Sequence, residues 1–98
     1  MIFDFLFRKK RTKEELGEPM GEVTHFFPHV NAAVIKIKKD TLSPGDSIYL
    51  KGHTTDFEQK INSMQMNHKP IEKASKGQEI GLKVRHKVRH GDMVYKVS

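Results

Sequence analysis

The chain consists of short apolar runs, each ended by glycine, proline, aspartate or asparagine before it reaches the length of a helix. The runs are rich in valine, isoleucine and aromatic residues, as β-strands are, and no stretch keeps the helical period for three turns. One short helical turn is predicted at residues 70–75. The predicted strands are VTHFF, AAVIKI, SIYLK, FEQKINSMQM, EIGLKV and MVYKV. This pattern predicts an all-β domain of six strands.

Turn sequences lie between these runs. Residues 43–46 read SPGD, which predicts a type II turn: Pro44 fixes φ at the second position and Gly45 takes the positive φ of the third. The sequences KGQ at residues 76–78 and HGD at residues 90–92 indicate two weaker turns of the same kind. At these positions we expect the chain to reverse direction between one strand and the next.

Side-chain alternation predicts which face of each strand is buried. Ile48 and Leu50 share one face, and Ile80, Leu82 and Val84 share another. The run FEQKINSMQM changes phase between its halves, which predicts a bulge at its Asn-Ser step. Short bent strands of this kind fit a small closed antiparallel barrel, which leaves no free sheet edge, and an open sandwich is the alternative.

The length of 98 residues accommodates one small domain, with no room for a separate catalytic domain. We assign residues 1–19 to an apolar and basic extension, with a tail or short helix and a linker, and residues 20–98 to the barrel. The chain has no cysteine, so we expect neither disulfides nor a thiolate zinc site. Its first apolar run precedes the positive charge, the reverse of a secretory signal, and we expect a cytoplasmic protein.

The N-terminal extension carries a cluster that is too apolar for a free tail. Four basic residues, 8–11, follow it directly, so shallow insertion at an anionic membrane is one prediction. Packing on the barrel, on a protein partner or on a second copy of the chain is the favoured alternative. The predicted interaction residues are Ile2, Phe3, Phe5, Leu6 and Phe7.

Positive charge is concentrated in the last third of the chain. The net charge is +6 overall, with +1 in residues 1–19, zero in residues 20–68 and +5 in residues 69–98. A basic surface of this kind attracts polyanions through its summed field. The alternative is a solvated, lysine-rich surface with no partner.

The sequence KVRHKVRH, residues 83–90, lies at the centre of this basic region. Val84 ends a buried strand, so its two neighbours point outward and the following residues form a loop. We predict that this segment contacts RNA phosphates without selecting bases. The predicted contacts are Lys83, Arg85, Lys87 and Arg89, with His86 and His90 as secondary donors.

Other chemistries find weaker support in the sequence. A helix would bring His86 and His90 together as metal ligands, but Val88 and Gly91 disfavour a helix there, and zinc needs three or four ligands. The sequence GHTTDF at residues 52–57 resembles a hydrolytic cluster, but threonine and aspartate at such a turn more often satisfy backbone groups. The chain has neither a phosphate-binding P-loop nor a GxGxxG motif. We therefore expect no enzyme activity, no nucleotide cofactor and no metal.

Four aromatic residues are candidates for stacking on bases, although a core position is the simpler assignment in so small a domain. They are Phe26, Phe27, Tyr49 and Tyr95.

Residues 20–97 resemble the second domain of translation GTPases such as elongation factor Tu, a six-stranded Greek-key barrel. LSPGDSIYL resembles that family's step from Gly-Asp into a strand, and EKASKGQEIGLKV resembles its step from glycine into the fifth strand. The further matching segments are GEVTHFFPHVNAAVIKI, INSMQM and VRHGDMVYKV. KGHTTDFEQKINSMQMNHKPIEKA is more similar to stand-alone elongation-factor-like proteins and to the C-terminal barrel of some collagenase-like peptidases.

This resemblance implies a non-catalytic barrel related to proteins that work on RNA. Neither a GTPase domain nor a peptidase domain is present in the sequence, so GTP hydrolysis and proteolysis are not implied. We predict an accessory barrel that binds RNA or a ribonucleoprotein surface. The alternative is a protein-interaction or membrane-docking module that works through the apolar N-terminus.

Overall fold

The computed structural model describes residues 16–97. Residues 17–97 form ten strands and contain no helix, so the predicted all-β class is confirmed. The strands are β1 (Gly21–Phe27), β2 (Ala32–Ile37), β3 (Thr41–Leu42), β4 (Ser47–Lys51), β5 (Asp56–Lys60), β6 (Met64–Met66), β7 (Lys69–Ile71), β8 (Ala74–Ser75), β9 (Glu79–Lys83) and β10 (Met93–Lys96). Most of the predicted N-terminal extension, with its tail or short helix, lies outside the described residues.

Eight of the strands form one antiparallel sheet in the order β5-β4-β10-β1-β2-β9-β6-β7, and β3 pairs with β8 separately. The sheet curls around a core of apolar side chains supplied by both sheets. The predicted closed barrel of six strands is wrong in this respect, because the large sheet has eight strands and ends at β5 and at β7.

The predicted strand FEQKINSMQM is two strands in the structure. β5 pairs with β4, whereas β6 pairs with β7 and β9. Between them, the Ile61 N–H donates to the Asp46 carbonyl at 2.8 Å and the Ile61 carbonyl accepts from Gly45 at 2.8 Å. The change of phase therefore marks a strand that leaves one partner for another, and the bulge predicted at Asn62 or Ser63 is wrong.

A side chain joins the two parts of the sheet where a closed barrel would have a backbone ladder. The Gln59 amide donates to the Lys83 carbonyl at 2.9 Å and accepts from the Arg85 N–H at 2.9 Å. We call this junction, residues 59–63 and 83–85, the seam. The Gln59 side chain is buried, so both hydrogen bonds are partly shielded from water.

The helical turn predicted at residues 70–75 is also wrong. β7 and β8 occupy most of this segment, and β7 follows a two-residue hairpin turn from β6. Asn67 and His68 form that turn with φ of 54° and 66°, as a type I′ turn requires. Pro70 is tolerated because β7 is an edge strand.

Three tight turns share one design and lie where the sequence predicts them. They span residues 43–46, 75–78 and 89–92, and the glycine at each third position has a φ of 99°, 90° or 94°. In each turn the side chain of the fourth residue accepts a hydrogen bond from the backbone N–H of the first, at 2.9, 2.7 and 2.9 Å respectively. The predicted type II geometry is therefore confirmed, with an added side-chain cap.

The predicted buried faces of β4 and β9 are confirmed. Ile48, Leu50, Ile80, Leu82 and Val84 are all buried and belong to the core. The opposite face of β4 is covered as well, since Tyr49 is 4% exposed and lies opposite the equally buried Tyr95 of β10. These two rings are therefore not free to stack on a ligand.

Candidate nucleic-acid interface

A groove of about 440 Å³ opens at the seam. Three cationic side chains, three neutral polar side chains and one valine line it, and none of the lining residues carries a carboxylate. The lining residues are Gln59, Lys60, Asn62, Ser63, Lys83, Val84 and Arg85. We refer to it below as the groove.

The backbone at one wall of the groove is fixed from both sides. Val84 is buried and its N–H donates to the Asn31 carbonyl at 2.8 Å, while Gln59 binds the backbone of its two neighbours. Because Val84 faces inward, Lys83 and Arg85 face outward, as the sequence predicts. The fold therefore presents these two cations together on a rigid segment.

The opposite wall comes from the end of β5 and from the residues that follow it. Lys60, Asn62 and Ser63 are exposed there. Sequence reasoning did not single them out, because their approach to Lys83 depends on how the sheet curls. No local motif marks a contact between segments that are more than twenty residues apart.

The groove cations are not neutralised by carboxylates of residues 16–97. The ion pairs in that range lie elsewhere, with N–O distances from 2.9 to 3.6 Å. They are Lys38–Glu22, Lys39–Glu18, Lys51–Asp56 and Lys96–Asp46. Unpaired cations converging on a groove raise the local concentration of anions.

The remaining predicted contacts do not line the groove. His86 is exposed and packs at right angles to the Phe57 ring, with centroids 4.9 Å apart. Lys87, Arg89 and His90 are exposed on the loop that leads to β10. The structure thus brings two of the six predicted residues into the groove, and their binding role stays a prediction.

An acidic side chain lies near the far end of this loop. Lys38 donates to Glu22 at 2.9 Å and lowers the pKa of that carboxyl, and the charge of His90 lowers the same pKa to a smaller extent. Glu22 does not line the groove. The loop is therefore less uniformly positive at His90 than at Arg85.

A buried carboxylate fixes the turn at the end of the loop. Asp92 is 5% exposed, accepts from the Arg89 N–H at 2.9 Å and accepts the hydroxyl hydrogen bond of Thr55. A Cβ at Gly52 would lie 1.9 Å from the Asp92 carboxylate, so residue 52 has to be glycine for this approach.

The same contacts account for the candidate hydrolytic cluster at residues 52–57. Thr55 donates to Asp92, and Asp56 accepts from Tyr49 and from Lys51. His53 is exposed at the turn. Both residues therefore bond other side chains here, whereas the sequence predicted that they satisfy backbone groups of the turn.

Within residues 16–97, no three histidine, aspartate or glutamate side chains lie close enough to form a metal site. Over the same range, no helical segment has the length and apolarity that crossing a bilayer would require. The predicted interaction residues Ile2, Phe3, Phe5, Leu6 and Phe7 lie outside this range, and their role stays a prediction.

No family model matches the sequence, but curated proteins do. The chain is 44% identical over 77 residues to an uncharacterized protease of Methanocaldococcus jannaschii. The aligned segment makes up 78% of this chain and 19% of that protein. The chain is 31% identical over an alignment of 100 positions to a collagenase of Porphyromonas gingivalis. That alignment covers 83% of this chain and 28% of the collagenase. The chain thus spans less than a third of the length of the curated relatives it matches.

Two solved structures share the fold. Both are the C-terminal domain of a putative U32 peptidase from Geobacillus thermoleovorans. One has a TM-score of 0.76 at 22% identity and covers 82% of this chain, and the other has 0.77 at 20% and covers 92%. In both cases all of the domain is matched.

These comparisons place the chain beside C-terminal β domains of peptidase-related proteins. The predicted resemblance to the C-terminal barrel of collagenase-like peptidases is confirmed at this level. The resemblance to the second domain of elongation factor Tu is tested by none of these matches and stays a prediction.

Proposed function

We propose that the chain is a non-catalytic β domain that binds the phosphate backbone of RNA, alone or in a ribonucleoprotein, through the groove. One observation carries this proposal: Lys60, Lys83 and Arg85 converge on a groove lined by no carboxylate. Phosphate oxygens accept hydrogen bonds from such cations and from the neighbouring hydroxyl and amide groups. These contacts fix a nucleic acid in place without reading its sequence.

We also propose that this chain does not itself catalyse a reaction. The curated relatives are named as a protease and as collagenases, and most of their length lies outside the matched segment. In this chain the threonine and the two carboxylates near residues 52–57 are engaged in hydrogen bonds that hold turns. We therefore propose that the domain serves a catalytic partner, on the same chain or on a separate one.

Replacing two groove cations with neutral residues is expected to weaken RNA binding and to make the affinity less dependent on salt concentration. For the double variant Lys83→Gln and Arg85→Gln, the slope of log affinity against log salt should fall by about 2, since each lost phosphate contact releases one counterion fewer. The measurement is fluorescence-anisotropy titration of a labelled tRNA pool at several salt concentrations.

The matched control removes the same charge from another part of the surface. Lys73→Gln with Lys76→Gln alters two exposed lysines that do not line the groove, and its slope should stay near that of the unmodified protein. Equal slopes for the two double variants would contradict the groove as the phosphate site. Metal analysis of the purified protein is the parallel check on an unforeseen catalytic centre.

A further inference from the structure

A bulge in β1 determines which of its side chains face solvent. Val23 pairs with Ile35 and is buried, whereas His25 pairs with the next residue of β2, Val34, and is exposed. Regular alternation would place His25 on the same face as Val23. The additional residue, Thr24, reverses the phase, and its hydroxyl donates to the Val34 carbonyl at 3.3 Å.

As a result, an aromatic ring lies on the outer surface of the sheet. Phe27 is 51% exposed, and its ring stacks with the His25 imidazole at a centroid distance of 6.2 Å and an interplanar angle of 25°. Phe26 takes the inward position and packs against the core. The bulge therefore exposes one phenylalanine and half-buries its neighbour.

The exposed rings form one wall of a shallow strip across three strands. Phe27, Ala32 and Lys83 are aligned by the strand register. Directly paired residues in antiparallel strands point to the same face, and two strand spacings separate Phe27 from Lys83 by about 10 Å. Ala32 is small, so the space between the ring and the lysine is open.

The next aligned row has the same character. His25 is followed across the sheet by Val34, Gly81 and Gln65. Small or half-buried residues again form the floor, between a ring on one side and a polar side chain on the other. We call the surface formed by these two rows the outer strip. Lys83 belongs both to the strip and to the groove.

We infer that the outer strip stacks the unpaired bases of a single-stranded RNA whose phosphates lie on Lys83 and Arg85. This inference rests on the proposed function and names the class of RNA. Stacking on an aromatic ring tolerates any base, since every base has a π face. The bases of a duplex are already stacked and paired, so they are not available to the Phe27 ring.

Charge complementarity favours this ligand over an apolar protein segment. The surface combines an exposed ring with a lysine and an arginine that no carboxylate of residues 16–97 pairs with. Single-stranded nucleic-acid sites combine the same two elements.

The test compares Phe27→Ala and Phe27→Leu with Val30→Ala. Val30 is 52% exposed near the tip of the same hairpin but belongs to neither aligned row. The probes are a labelled oligouridine and an RNA duplex of the same length. Both Phe27 variants should lose about fivefold or more in affinity for oligouridine, the lower bound for one stacked base, with an unchanged salt slope and unchanged duplex binding.

The control variants and the remaining outcomes separate the inference from the proposed function. Val30→Ala should bind like the unmodified protein, and Phe27→Tyr should retain oligouridine binding because it keeps the ring. Equal effects of Phe27→Ala and Val30→Ala, or equal losses on oligouridine and duplex, would overturn the inference while leaving the groove assignment to its own slope test. No binding of either RNA would overturn both.

Discussion

Replacing Asp92 with alanine is expected to lower the free energy of unfolding by about 3 kcal/mol or more, since it removes two hydrogen bonds to a buried charged group. The Arg89 N–H and the Thr55 hydroxyl would both lose their acceptor inside the domain. In a domain of this size, a loss of about 3 kcal/mol corresponds to a fall of roughly 12–24 °C in Tm. Urea denaturation followed by circular dichroism measures it.

The matched comparison is Asp46→Ala. Asp46 holds the same position in the turn at residues 43–46, but it is half-exposed and accepts from one backbone N–H, with a 3.6 Å ion pair to Lys96. Its loss should cost about 1 kcal/mol, the usual value for one partly exposed hydrogen bond. If the two variants are destabilised equally, the buried contacts of Asp92 are not what stabilises the loop.

Replacing Gln59 with leucine is expected to lower the free energy of unfolding by about 1–3 kcal/mol, because a backbone carbonyl and a backbone N–H in partly buried hydrogen bonds lose their partner at once. These are the carbonyl of Lys83 and the N–H of Arg85. The Arg85 amide should also exchange with deuterium faster than in the unmodified protein, relative to amides within the β2–β9 ladder. Hydrogen exchange followed by NMR gives this local readout beside the global one.

Two further variants serve as comparisons for Gln59→Leu. Gln65→Leu changes an exposed glutamine outside the seam and should alter stability by less than about 0.5 kcal/mol. Gln59→Glu keeps an acceptor for Arg85 but cannot donate to Lys83, so an intermediate loss is expected. An unchanged Arg85 exchange rate in Gln59→Leu would show that the seam is held by other contacts.

Local patterns predicted the parts of the fold that depend on neighbouring residues. The turn at Pro44 and Gly45 and the buried faces of β4 and β9 follow from turn chemistry and from alternation. The hairpin at Asn67 and His68 was missed because neither residue is glycine, and only their positive φ reveals the turn. The strand count was wrong because the break after Lys60 has no proline or glycine to mark it, and because β3, β7 and β8, of two or three residues each, are too short to show alternation.

The candidate site depends on contacts that the sequence does not encode locally. The outward direction of Lys83 and Arg85 was predicted from Val84, since the three are adjacent. Lys60 reaches the same groove through the curl of the sheet, and the Gln59 amide that holds the seam bonds a segment over twenty residues away. The exposure of Phe27 depends on a one-residue bulge, and side-chain alternation alone does not predict where in β1 that bulge lies.

Chemical-shift mapping with a labelled protein tests the central claim most directly. Oligouridine added to the ¹⁵N-labelled chain at low salt should shift amide signals at residues 59–63 and 83–86 and along β1 near Phe27, and these shifts should disappear as salt is raised. Saturable shifts confined to residues 73–78, or none at a protein concentration far above the expected dissociation constant, would contradict an RNA site at the groove.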